Sequence, residues 1–489
     1  MKDFVLFTPE IVLALTLIFI LVGEITYFGE KMRLTFITAT LGLIAAFAQT
    51  LITYQYGASQ IFSHSFVIDG LSLFFKLLFI VLALLAILAA TRSDEIPKSR
   101  NAEYSVLIIG STLCMGIAAS SADLILVFLA LQAMNTLNIF IASYGKKSAE
   151  SAEAGTKYMM FAFISAAFLL YGLAMLFGTF HGLNVYEIQR AIILRPLSNE
   201  VTLIVFMFFL FAITFQAGAF PSYFWAPDVT QGAPTPASGF LLVGSRATAF
   251  AVAIRIFYVI FAQPKPAHGQ WSVLGSVNWP SVLALVAGLT MIVGALLSIR
   301  QSSAKRIVGC LAIAETGNLF LGMLVMDEVG IAAVLFNLAI QLFSLMGIYY
   351  VLSFLVDEVK SDHLEDLGGM LSRAVPECIC LILFLLCLIG FPPLPGFIGK
   401  FTLIGAAIRH EWYFLAILAV ASGTVATVAV GRMVFSLIGD FKKPTGPVIT
   451  ADFGRSAYLM FLVGPLLFLG VFADFFLNWA GRSMGFIFW

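Results

Sequence analysis

Polar positions in this 489-residue chain are so sparse that they punctuate the apolar ones rather than alternate with them. Apolar runs recur along its whole length, each covering the roughly 20 residues that a helix needs to cross a hydrocarbon core. About fourteen such runs are separated by short polar segments, which predicts an all-α polytopic membrane protein. The runs are much too long for tilted barrel strands, so each span must close its backbone hydrogen bonds within a helix. The first run, from Thr8 to Phe28, carries Glu10 and Glu24 and precedes no small-residue cleavage site, so it reads as a retained span. No polar segment exceeds about 20 residues, too few for an independent domain. The chain is therefore predicted to be a single membrane domain over 1–489, serving chemistry that sits on other chains.

Composition sharpens this picture. Hydrophobic residues make up 61% of the chain and charged residues 11%, with zero formal net charge, so lipid is the main solvent. Lys and Arg cluster in the connections after odd-numbered spans, among them Lys31, Arg33, Arg92, Lys98, Arg100, Lys146, Lys147, Lys305 and Arg306. The connections after even-numbered spans hold only Arg190, Arg195, Lys265 and Arg409. By the positive-inside rule the odd connections are cytoplasmic, which puts both termini on the opposite side, the periplasm in a bacterium. No basic patch with interleaved aromatics points to a nucleic-acid partner. The five cysteines (Cys114, Cys310, Cys378, Cys380 and Cys387) lie in apolar spans without iron–sulfur or zinc spacing and read as core-filling residues. The histidines lie in loops or at span ends, where none could ligate an intramembrane haem, and no phosphate-binding Gly-rich loop is present.

Two segments break the helical pattern in corresponding parts of the chain. In AFPSYFWAPDVTQGAPTPASGF, Pro221, Pro227, Pro234 and Pro236 interrupt or bound spans seven and eight; in GFPPLPGFIGKF, Pro392, Pro393 and Pro395 with Gly396 interrupt span twelve. Paired interruptions of this kind point to transporter architecture with an inverted repeat, whereas one alone would read as a kink. Lys400 lies inside the second segment. An ammonium at such depth is costly and usually lines a hydrated cavity or an ion path.

These motifs, PSYFWAPDVTQGAPTP at 221–236, QSSAKRIVG at 301–309 and FPPLPGFIGKF at 391–401, supported by EAGTKYMMFAFISAAFLLYG at 153–172, resemble those of the antiporter-like membrane subunits of respiratory complex I. The resemblance runs from about Asp69 to Arg432. It implies two inverted five-helix repeats, spans four to eight over 101–262 and nine to thirteen over 277–440, with helices seven and twelve broken at mid-membrane. Three amino-terminal helices over 1–100 and a last helix over 455–489 complete that layout. It also implies a midplane row of ionisable residues that relays protons while partner subunits, carrying FMN, iron–sulfur clusters, NADH and quinone, perform the electron transfer. The implied partners are neighbouring antiporter-like subunits, small membrane subunits and the lipid bilayer, in a bacterial inner membrane.

Residue by residue, the family's proton-handling positions are matched unevenly. Where the family has a glutamate in span five this chain has Gln132, and where it has a lysine in span seven the chain has Gln216. Arg246 matches the span-eight lysine, Glu315 a span-ten histidine and Tyr223 the histidine of the first broken segment. Only Lys400 keeps the family identity. Glutamine has no proton to exchange, and a guanidinium effectively never deprotonates, whereas a buried lysine can shift its pKa and cycle. Glu315 lies about ten residues, about 15 Å, beyond Lys305 and Arg306, too deep for easy snorkelling to the surface. Charge balance places it within ion-pair or one-water distance of Arg246, of Lys400, or between them.

Weaker candidates keep two readings. Glu153 and Lys157 read as a surface helix pair, and Asp228, in the connection between spans seven and eight, reads either as a capping or loop residue or as a proton access point. Arg255 is expected to reach an interface, and Asp69 and Glu24 could mark subunit contacts. The resemblance leaves two alternatives to a proton-translocating complex I subunit: a Mrp-type cation/proton antiporter subunit, and a non-pumping member kept for assembly and coupling.

Overall fold

The computed structural model describes residues 2–26, 31–97, 100–145, 148–195, 198–265, 270–274, 277–439 and 452–484. Its elements in chain order are α1 (Lys2–Leu6), α2 (Thr8–Thr26), α3 (Lys31–Tyr54), β1 (Ser59–Ile61), β2 (Phe66–Ile68), α4 (Gly70–Ala90), α5 (Asn101–Ser120), α6 (Leu124–Ala142) and α7 (Ala149–Phe180). There follow α8 (Val185–Leu194), α9 (Asn199–Ala217), α10 (Trp225–Gly232), α11 (Thr235–Ile260), β3 (Ala262–Pro264), β4 (Trp271–Val273), α12 (Trp279–Arg300), α13 (Ala304–Leu324) and α14 (Glu328–Val359). The chain closes with α15 (Met370–Arg373), α16 (Val375–Ile389), α17 (Pro395–Arg409), α18 (Tyr413–Ile438), α19 (Phe453–Val471) and α20 (Ala473–Met484). Among the described residues thirteen helices are long and apolar enough to span a membrane. The shorter apolar α16, followed by α17, occupies the twelfth apolar run of the sequence. Lys98, Lys146 and Lys147, and the side chains of Lys31 and Arg33, lie outside the described residues.

Polar residues at the ends of the apolar runs start the helices. Asp69 accepts from the Ser72 backbone and forms a reciprocal capping box before α4, while Asp123, Ser148, Ser198, Ser303, Asp327 and Asp452 each accept a first-turn N–H. These contacts satisfy donors that a helix cannot satisfy itself. Two short antiparallel hairpins, β1 with β2 and β3 with β4, turn the chain at the ends of spans.

The layering follows from how apolar each helix is around its circumference. α11 and α13 are buried along their whole length and α14 nearly so, whereas α2, α3 and α19 present most of their surface outward. A helix that is apolar on all sides belongs in the middle of such a bundle. The central three helices also carry Arg246, Glu315 and Gln341, so the intramembrane polar groups sit where lipid is excluded.

Spans seven and twelve are broken by the same local device. α9 ends at Gly218 with φ +66°, its N–H donating to the Phe215 and Thr214 carbonyls, and Ala219 N–H also donating to Thr214. α16 ends at Gly390 with φ +77°, its N–H donating to the Cys387 and Leu386 carbonyls, and Phe391 N–H also donating to Leu386. The left-handed residue is glycine in both cases, because a Cβ is disfavoured there. Each is followed by a cis prolyl bond, Phe220–Pro221 and Pro392–Pro393. Pro227, Pro395 and Gly396 lie within the first turns of α10 and α17. A missing N–H costs nothing there. Asp228 is likewise inside α10 and not in a connecting loop, since the chain re-forms a helix at Trp225 directly after the break.

Candidate functional site

The break in span twelve creates the surroundings of Lys400. Helix carboxy-termini expose carbonyls without intrahelical partners and carry partial negative charge. Lys400, in the second turn of α17, folds back across the gap, and its Nζ donates to the Ile389 carbonyl at 2.8 Å. On its other side it donates to Glu315 Oε1 of α13 at 2.6 Å. The two side chains are 12% and 5% exposed, so this charge-assisted contact is shielded from water by the rest of the chain. Asn318, one turn further along α13, approaches the other Glu315 oxygen at 3.5 Å. Gly390 makes room for this arrangement: a Cβ there would stand 2.7 Å from Lys400 Cδ.

Arg246 of α11 stands apart from that pair. Its Nη1 donates to Gln341 Oε1 of α14 at 2.7 Å, its Nε has no partner, and no carboxylate is in ion-pair contact with it among the described residues. Glu315 and Tyr349 are the nearby titratable groups that act on it electrostatically. Of the residues singled out by charge balance, the structure thus brings Glu315 and Lys400 into contact and leaves Arg246 bonded to a neutral amide.

The break in span seven is lined by neutral groups. Trp225 Nε1 donates to the Phe215 carbonyl at 2.8 Å and Thr316 Oγ1 to the Ala217 carbonyl at 3.1 Å. An indole and a hydroxyl thus stand where Lys400 stands in span twelve. Gln216 Nε2 donates to Asn135 Oδ1 at 3.0 Å, and the Tyr158 hydroxyl donates to the same oxygen at 3.1 Å. Asn138 Nδ2 lies 3.2 Å from Tyr158 Oη and 3.4 Å from Ser245 Oγ, and Asn138 Oδ1 accepts from Ser111 Oγ at 2.8 Å. Gln132 lies half-buried on α6 outside this network. Sequence comparison picks Gln132, but Asn135 and Asn138, one turn and then two turns further along the helix, face the interior. Their signal was available as amides at helical spacing in QAMNTLN.

The weaker candidates also find partners. Asp228 binds Lys157 of α7 at 2.5 Å and Arg306 of α13 at 3.0 Å, and Lys157 also pairs with Glu153 at 2.7 Å, so the expected surface pair is part of a larger cluster. Arg255 does not reach an interface: it is buried and pairs at 3.1 Å with Asp69, which in turn is not exposed to a partner subunit. The reason is proximity, because the Asp69 cap of α4 meets α11 inside the bundle. Tyr223, beside Phe224 in the first break, stacks at 4.2 Å between ring centroids.

Comparison with known proteins agrees with this architecture. Residues 121–426 match the family described as NADH:quinone oxidoreductase/Mrp antiporter, TM. Subunit N of NADH-quinone oxidoreductase from Moorella thermoacetica is 35% identical over 372 residues, 76% of this chain and 75% of that one. The subunit N of Chlorobium chlorochromatii is 31% identical over 412 residues, 84% and 80% of the two chains. In fold, a chain of respiratory complex I from Thermus thermophilus superposes with a TM-score of 0.79 at 24% identity, covering 96% of this chain and 98% of its own. A chain of the Mrp complex from Dietzia sp. gives 0.79 at 17% identity, covering 97% and 96%. The chain belongs to the NADH:quinone oxidoreductase/Mrp antiporter transmembrane family, as a multi-pass, antiporter-like subunit resembling subunit N of complex I.

Proposed function

We propose that this chain is a membrane subunit of a proton-translocating NADH-quinone oxidoreductase and that any proton it carries passes through Glu315 and Lys400. The observation that carries the reading is the Lys400 ammonium, held between a carboxylate at 2.6 Å and a helix-terminal carbonyl at 2.8 Å inside the bundle. This contact sets a proton-bearing group and a proton acceptor side by side inside the bundle. Electron transfer, with FMN, iron–sulfur clusters, NADH and quinone, belongs in this reading to partner chains, and neighbouring antiporter-like subunits flank this one in a bacterial inner membrane. The repeats over 101–262 and 277–440 and the periplasmic termini are part of the same proposal, supported by the matching breaks at Gly218 and Gly390.

The amino-terminal half has a different role. Its buried network consists of Gln216, Asn135, Asn138, Tyr158 and Ser245, none of which changes charge at physiological pH. This favours a subunit that moves protons through its carboxy-terminal half alone, or, as the second reading, one that couples neighbours without pumping. The proton-to-electron ratio of the reconstituted complex decides between them. Lys400→Met is expected to lower that ratio; an unchanged ratio at an unchanged electron-transfer rate overturns the path through Lys400 and leaves the coupling reading. A partner set without iron–sulfur and flavin chains would instead mark an Mrp-type cation/proton antiporter.

A further inference from the structure

Another buried ion pair lies outside both broken helices. Lys76 of α4 approaches Glu10 of α2 at 2.6 Å, and each is only 3% exposed. Lys76 sits six residues into α4, about 9 Å from its start. The start of α4, the start of α2 and the end of α5 lie at the same end of the bundle, because successive spans run in opposite directions. We propose that Glu10 and Lys76 form a second proton-exchanging site.

The buried pairs Asp69–Arg255 and Glu377–Arg455 are supported by further bonds. Asp69 accepts from Ser72 N–H while Arg255 donates to the Ala119 carbonyl, and Arg455, paired with Glu377, also lies over the Phe354 ring at 3.8 Å. Such bonds are what make a buried pair of charges tolerable. Glu10 and Lys76 lack them: the 2.6 Å approach is not aligned as a hydrogen bond, and neither carboxylate oxygen nor the ammonium has any other partner among the described residues. The charged state is therefore poorly supported. A rotation of the Lys76 ammonium that aligns one Nζ–H with Glu10, followed by breaking that bond and forming one O–H bond on Glu10, gives an amine and a carboxylic acid, both neutral.

Beside the pair there is room for an exchange partner. A cavity of about 10 Å³, the size of one water, adjoins it between Leu13, Phe79, Ile80, Leu113 and Thr112. Among the described residues no further ionisable side chain lines this cavity. Thr112 donates its hydroxyl proton to the Ile108 carbonyl at 2.8 Å, which leaves its oxygen free to accept from a water. The preceding residue, Ser111, begins the hydroxyl and amide network that ends beside Arg246. A proton added by the water goes onto the carboxylate, and one removed comes off the ammonium.

Infrared difference spectroscopy on the assembled complex tests this, both across the pH range of activity and on turnover. The expected result is a protonated-carboxyl C=O band that is lost in Glu10→Gln and shifted in Lys76→Met. The charge-free double variant Glu10→Gln with Lys76→Met should assemble and lack the band, so a single variant that fails to assemble leaves the comparison intact. The absence of any Glu10-dependent band under both conditions overturns the proposal and leaves a static ion pair. The band does not depend on pumping through Lys400, so a Lys400→Met complex should retain it.

Discussion

A lysine whose ammonium touches a carboxylate on one side and a helix-end carbonyl on the other is costly to dissect one partner at a time. Removing either member alone leaves an uncompensated charge, typically at about 3–5 kcal/mol. Lys400→Met and Glu315→Gln are each expected to destabilise by that order, and the double variant by much less, in a double-mutant cycle read from denaturation of the purified chain. The amino-terminal half makes a complementary case. Gln216→Lys combined with Asn135→Asp should assemble, because the two side chains are 3.0 Å apart. Gln216→Lys with Gln132→Glu should lose about 3–5 kcal/mol, because Gln132 is outside the contact; assembly yield and melting temperature distinguish the two. Lys400 was legible as a cation inside an apolar motif. Lys76 satisfies the same criterion in LSLFFKLLFI, an apolar run with no proline or glycine break to single it out. Glu315 was legible as a charge needing a partner, but a choice between Lys400 and Arg246 requires side-chain directions that spacing does not supply.

At the scale of elements, the breaks in spans seven and twelve were readable from proline and glycine, since both residues have conformational rules that hold in any context. What filled the breaks was not readable. The donors to the open carbonyls come from a distant helix in one case, Thr316, and from the following half-helix in the others, Trp225 and Lys400. Gly390→Ala combines a left-handed φ of +77° with a contact of 2.7 Å to Lys400 Cδ. It is expected to cost at least about 1–2 kcal/mol and to lower the proton-to-electron ratio. Gly405→Ala, in the same half-helix but in open space, should leave the ratio unchanged and raise helix stability by up to about 1 kcal/mol. Melting curves and proton counting on the two variants separate displacement of the lysine from a general effect of the added methyl.

At the scale of the whole molecule, the existence and order of the spans followed from hydropathy alone, because long apolar runs leave few alternatives in lipid. Which spans occupy the centre did not, since α11 and α2 are both apolar and only packing separates the buried one from the exposed one. Orientation rests on the uneven distribution of Lys and Arg, and labelling can check it. With a membrane-impermeant thiol reagent applied from the cytoplasmic side, His363→Cys should react and Gln263→Cys should not; the reverse pattern would invert the topology. Once the chain is oriented, the gap in span twelve has an electrical meaning. On the proposed path the Lys400 ammonium lies in the gap between α16 and α17, so a proton passing through it would cross the transmembrane voltage in two legs. A full elementary charge gains about 2.3 kcal/mol per 100 mV, so each leg of the journey bears on the order of 1 kcal/mol per 100 mV. Proton translocation through this subunit should therefore follow the polarisation of the membrane as well as the proton gradient across it.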